Sequence, residues 1–149
     1  MAKTQTKVFT GVKQVPMPDR ASIMEVAVPI EFASTAYASG DLIEVCRLQP
    51  GVLCVDWSLV APDCDSGGGA LAFSLGTENS TLDDISTEVW GTAITGAGTG
   101  VPFRNALAAC SQGVTSTERI IVLKCTTIAT TYAGSGKIGY LILKLLGVG

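Results

Sequence analysis

Apolar and polar residues alternate along much of this chain, and the alternation has the period of two that belongs to a β-strand. From Ile23 to Phe32, Met24, Val26, Val28, Ile30 and Phe32 share one parity, while Glu25 and Glu31 take the other. Pro29 cannot donate to a ladder, so this strand belongs near a sheet edge. Three apolar-rich runs follow between Gly40 and Gly76, parted by Gln49-Pro50-Gly51 and by Pro62 to Gly69. In the middle run Leu53, Val55, Trp57, Leu59 and Ala61 are set on the buried face, with Cys54, Asp56 and Ser58 opposite. Pro50 presets the first central residue of a type II turn and Gly51 supplies the positive φ of the second. The block therefore predicts an antiparallel meander. Two strands close the chain, Arg119 to about Ile128 and Lys137 to Leu146, joined by the small-residue loop Ala129 to Gly136. The continuous run Ile120-Ile121-Val122-Leu123 and the shared parity of Leu141, Leu143 and Leu145 predict central strands, covered on more than one side.

One stretch breaks the pattern. Asn79-Ser80-Thr81 offers an N-cap, Asp83 and Asp84 sit where a first helical turn welcomes negative charge, and Leu82, Ile85 and Val89 follow at helical spacing. This predicts a short helix from Leu82 to Trp90. Gly91 to Gly100 then reads as a glycine-rich surface loop. With at least six strands, one short helix and many small-residue turns, the expected fold is mainly β, an antiparallel β-sandwich over residues 21–149. Trp57, Leu59 and Val122 are its expected core, and the loops Gly91 to Gly100 and Ala129 to Gly136 are expected to form one end of it.

Charge separates the first 20 residues from this body. Lys3, Lys7, Lys13 and Arg20 face Asp19 alone, whereas everything after Arg20 sets six basic residues against twelve carboxylates. Alternate prolines in Val15-Pro16-Met17-Pro18 oppose a helix and favour extended chain. Residues 1–20 thus read as an extended basic arm, either a floppy leader or a strap laid on an acidic partner or neighbouring subunit. Apolar residues make up 47% of the 149 and charged residues 15%, a balance that suits a domain hiding apolar surface against partners. No run is long and apolar enough for a membrane span, and the N-terminus lacks the apolar stretch of a signal peptide, so synthesis in a cytoplasm is expected.

The chemistry available is sparse. Cys46, Cys54, Cys64, Cys110 and Cys125 are odd in number, and there is no C-x-x-C pair and no histidine, so they read as reduced, buried small residues. Cys64-Asp65-Ser66-Gly67-Gly68 has the look of a serine-protease nucleophile, but no histidine exists to take the Ser66 proton. Asp63 and Asp65 are spaced like the start of a calcium loop, yet Ser74 stands where the bidentate glutamate belongs, and a self-bonded turn is the simpler reading. Gly96-x-Gly98-x-Gly100 has no preceding strand of the dinucleotide type. Asp83, Asp84 and Glu88 could pair as acid and base, or form a solvated face. Trp90 could stack on a sugar. The acidic body disfavours nucleic acid, since phosphate contacts need clustered Lys and Arg.

Gly40-Asp41-Leu42-Ile43, Leu48-Gln49-Pro50-Gly51, Asp63-Cys64-Asp65-Ser66-Gly67 and the apolar run Leu71 to Gly76 come in the order of a G-D-x-I strand, an L-P-x-G turn, a D-x-D-S-G loop and a strand ending in glycine. In this, residues 35 to 146 resemble small head proteins of tailed bacteriophages, with the turn proline one place later. The resemblance implies a capsid decoration, or cement, protein. Such a protein is a jelly-roll-like sandwich on the exterior of the virion, often a homotrimer, that clamps neighbouring subunits of the major capsid protein against internal DNA pressure. It implies no active site, cofactor, metal, nucleic-acid or membrane partner. Lys3, Lys7, Lys13 and Arg20 become the expected contacts to the shell or a neighbouring subunit. The alternative is a carbohydrate-binding sandwich with Trp90 and the glycine-rich loop as its platform.

Overall fold

Most successive strands of this chain cross between two sheets, and one hairpin pairs sequence neighbours. The computed structural model describes residues 1–6, 9–10, 23–100, 102–104 and 114–147. They form β1 (Lys3–Gln5), β2 (Ile23–Glu31), β3 (Leu42–Leu48), β4 (Val52–Val60), β5 (Ala72–Glu78), β6 (Ile85–Ile94), one helical turn α1 (Gly96–Thr99), β7 (Phe103–Arg104), β8 (Arg119–Thr127) and β9 (Ile138–Gly147). One sheet has the order β2-β9-β4-β7 and the other β1-β3-β8-β5-β6. Leaving out β1, which joins β3 in parallel, these are two four-stranded antiparallel sheets in jelly-roll order. Residues from both sheets, including Val28, Trp57, Leu143, Phe73 and Leu123, form one continuous core between them.

The expected meander from Gly40 to Gly76 is therefore replaced by a zigzag: β3 and β5 lie in one sheet and β4 in the other. The turn chemistry is as expected, with Gly51 at φ 75° and the Val52 N–H donating to the Gln49 carbonyl at 3.3 Å. Its role differs, because it swings the chain across the core. The apolar strands β8 and β9 from the end of the chain take the central places, β8 between β3 and β5 and β9 between β2 and β4. β2 is an edge strand, where Pro29 deprives no second ladder of a donor.

Two further expectations are corrected. In β4, Cys54 pairs with Leu145 and Asp56 with Lys144, so Val55 is an extra residue in a bulge. The bulge reverses the parity: Val52 and Cys54 point inward before it, Trp57, Leu59 and Ala61 after it, and Leu53 and Val55 are only half-buried. Trp57 and Leu59 are 1% and 0% exposed. Val122 is also fully buried, yet it lies outside the core cluster, between Glu44 and Gly76 on the opposite face of its sheet from Ile121 and Leu123.

The helix expected from Leu82 to Trp90 is instead a tight loop leading into β6. Asn79 Oδ1 accepts the N–H groups of Asp83 and Asp84, at 3.1 and 3.3 Å, and the Asn79 N–H donates to the Asp84 carbonyl at 2.8 Å. Asparagine here makes a turn, not a cap, and Ile85, Thr87, Val89 and Trp90 are residues that pack well on a pleated surface. β6 runs on to Ile94, so Gly91 to Gly100 is not a surface loop. A Cβ on Gly91 would lie 2.7 Å from the Trp57 ring, and Gly91, Gly96, Ala97 and Gly98 are all buried. Glycine at 91 lets a tryptophan from one sheet seat against the backbone of the other.

Candidate functional site

The first residues of the basic arm are part of the second sheet. The Ala2 carbonyl accepts the Leu42 N–H at 3.0 Å, and the Thr6 N–H donates to the Glu44 carbonyl at 3.1 Å. Lys3 then reaches across the sheet's outer face to Glu44 and Glu78, its Nζ 2.6 Å from a carboxylate oxygen of each. These two carboxylates are 4% and 1% exposed, so one lysine is shared by a buried acidic pair. Burial, with the neighbouring Glu44 charge adding to it and Lys3 opposing it, holds the Glu78 carboxyl above its usual range. Lys3→Met should cost about 2 kcal/mol at pH 7, less than a fully buried pair because the ammonium is partly solvated. A carboxyl with a raised folded pKa loses stability as pH rises through that pKa, so acidification should narrow the variant's deficit as a proton replaces the lysine. Urea unfolding at pH 7 and pH 5 measures this, and an equal deficit at both would contradict it. Lys7, Lys13, Arg20 and Cys110 lie outside the described residues.

At one end of the sandwich the segment from Pro62 to Leu71 is knotted around Asp65. This side chain is 1% exposed. Its Oδ1 accepts the N–H groups of Gly67 and Thr131 at 3.1 and 2.9 Å, and its Oδ2 those of Ala70, Leu71 and Thr130 at 2.8, 3.2 and 3.0 Å. These bonds, the Thr131 N–H foremost, lower its pKa from 3.8 to about 2 against the opposing effect of burial. The same segment ties to α1 through the Cys64 N–H on the Ala97 carbonyl, at 2.6 Å, and to the β8–β9 connection through the Ala133 N–H on the Cys64 carbonyl, at 2.8 Å. The stretches Gly91 to Gly100 and Ala129 to Gly136 are thus brought to one end, joined through this loop. Tyr37 packs edge-on against Phe73 and Tyr132 beneath it. Asp63 accepts the Asp65 N–H at 2.8 Å, so both aspartates bond backbone, and the turn reading prevails over the calcium loop.

The other polar groups are separated. Glu88 pairs with Arg119 at 2.6 Å, Asp84 with Lys124 at 2.6 Å, and Asp83 with Asn79 and Thr81 in the hairpin loop. No acid–base pair arises among them. Burial pushes the Cys46 thiol up to about 12 and those of Cys64 and Cys125 to about 11, so these are protonated and inert at neutral pH. Trp90 is 0% exposed, which removes it as a platform for a sugar.

No known protein family matches the chain by sequence, and no curated protein does. Two solved structures match by shape. A chain of the capsid of Ralstonia phage GP4 superposes with a TM-score of 0.82, covering 99% of each chain at 25% identity. A chain of the cyanophage Pam1 capsid asymmetric unit superposes with a TM-score of 0.61, covering 91% of this chain and 95% of that one. At 16% identity the second speaks to the fold alone. Both come from phage capsids. The near-complete coverage of the first means that the likeness takes in both sheets. What the sequence reading missed is the degree to which polar groups are spent on architecture. The Lys3 clasp has no local signature, and Asp65 shows itself only as a turn former.

Proposed function

We propose that this chain is a structural, non-enzymatic protein of a phage virion. It sits on the capsid exterior, where it decorates and stabilises the shell by clamping neighbouring subunits of the major capsid protein. The end-to-end likeness to a chain of the Ralstonia phage GP4 capsid carries this reading. The distribution of polar groups supports it, because the described aspartates and glutamates of the sequence-derived candidate sites hold turns and ion pairs. In this reading Lys3 pins the start of the arm to the body. Lys7, Lys13 and Arg20 then meet the shell or a neighbouring copy, and three copies assemble as a homotrimer whose repeated contacts add up to lasting attachment. The carbohydrate-binding alternative lacks its central residue, since Trp90 is in the core.

Quantitative mass spectrometry of gradient-purified virions of the source phage tests the proposal. The chain should be present at a copy number comparable with that of the shell subunit. Its absence from virions, with abundance in the infected-cell lysate, would contradict a virion role.

A further inference from the structure

The outer face of the β2-β9-β4 sheet is unusually apolar for a surface open to water. Register sets its side chains in cross-strand rows. Ile23, Leu146 and Leu53 make the first, and Pro29, Tyr140 and Val60 another, with Ala27, Ile142 and Ser58 between. Ile23, Tyr140 and Val60 are 65%, 44% and 38% exposed, and Ile138 beyond them is 48% exposed. An ion-pair row crosses this face, with Lys144 lying 3.8 Å from both Glu25 and Asp56, and the charged Glu31 stands in the Ile138 row. Beside it is a depression of about 260 Å³ lined by Glu25, Asp56, Trp57, Ser58, Ile142 and Lys144. Alternation on a solvated sheet face calls for polar residues outward, and here the outward positions of β9 are Ile138, Tyr140, Ile142 and Leu146 with Lys144 alone charged. Exposed apolar rows on either side of one ion-pair row mark a contact surface.

We infer that this face is the docking surface for a shell subunit, one that presents an apolar patch bordered by Lys or Arg. The inference rests on the virion reading above. Its occupant is argued from size and charge. Three strands spaced about 4.8 Å apart and about nine residues long cover roughly 400 Å², about half of the roughly 800 Å² per partner that a standard stable complex buries. A face of that size does not sustain a free dimer, but it serves a chain held at several points on a repeating lattice. The body that carries the face sets six basic residues against twelve carboxylates, and Glu25 and Glu31 stand exposed along its β2 edge. A second acidic body meets like charge there, whereas a basic-rimmed partner meets its complement.

The test is co-sedimentation of the full chain with undecorated shells of the source phage. It compares wild type with Ile138→Lys/Tyr140→Lys, with Val60→Lys as an independent variant on the neighbouring strand, and with Leu82→Lys on the β5–β6 hairpin as control. Circular dichroism confirms folding. Wild type and control should pellet alike, and both face variants should bind about tenfold more weakly. Glu25→Lys should weaken binding several-fold and reduce its salt sensitivity. Failure of the wild type to pellet would sink the virion reading itself. Wild-type binding that the face variants leave unchanged would overturn this inference and leave that reading standing. A solution oligomer split by Tyr140→Lys in light scattering would assign the face to a second copy, and so would also overturn it.

Discussion

Trp57→Ala should lower the unfolding free energy by about 3 to 5 kcal/mol. The indole is 1% exposed and comes from β4 of one sheet, while its ring edge lies against Gly91 of β6 in the other. Truncation removes transfer free energy and leaves a cavity between two sheets that cannot close onto it, because Gly91 has no side chain with which to fill the space. Refilling from the other side is equally constrained. A side chain at 91 in the wild-type background would begin 2.7 Å from the ring, so Gly91→Val should itself be destabilising by overpacking. Far-UV circular dichroism in a urea titration reads the change. A loss below about 1 kcal/mol for Trp57→Ala would mean that the ring does not join the sheets.

The second large effect is expected at Asp65. Asn in its place keeps one carbonyl oxygen for five converging N–H groups and turns an amide donor towards them, leaving several buried donors unmet. The melting temperature should fall by about 10 °C, and limited proteolysis should open the chain near Ser66 and Thr131 before the sheets. The pH signature has a definite sign. The wild-type carboxyl has a folded pKa lowered to about 2 from 3.8. Its contribution is therefore fully present above the unfolded value and is lost as pH falls from about 4 towards about 2. Asp65→Asn should flatten that part of the stability profile. Equal acid sensitivity in wild type and variant would show that other carboxyls govern the acid limb.

These two residues also show what one sequence reveals. Parity places the inward residues of β2 and β9 correctly, because each strand is regular and one face of it is buried. It misplaces Leu53 and Val55, since a bulge has no signature in alternation and shifts every residue on one side of it. The stretch from Leu82 to Trp90 has a real asparagine-led start signal, yet the same side chain closes a hairpin loop when the residues after it are β-branched and a neighbouring strand is ready to pair. Sheet membership is harder still. The Pro50-Gly51 turn was legible as a turn, but whether it folds β4 back beside β3 or across the core depends on β8 and β9, some 70 and 90 residues away. The candidate chemistry was legible mainly by its poverty. The chain has no histidine, and its carboxylates could be read either as an acid–base pair or as structural groups; the structure spends Asp65, Asp84 and Glu88 on turns and ion pairs. The outer face of β2, β9 and β4 emerges only when register puts residues over 100 positions apart into one row.

The most direct test of a virion role is a cryo-electron microscopy reconstruction of mature particles of the source phage. Ordered density for this two-sheet fold is expected on the outside of the shell, with the β2-β9-β4 face turned towards a shell subunit. A complete shell whose exterior carries no such density, with the chain located elsewhere or missing, would contradict it.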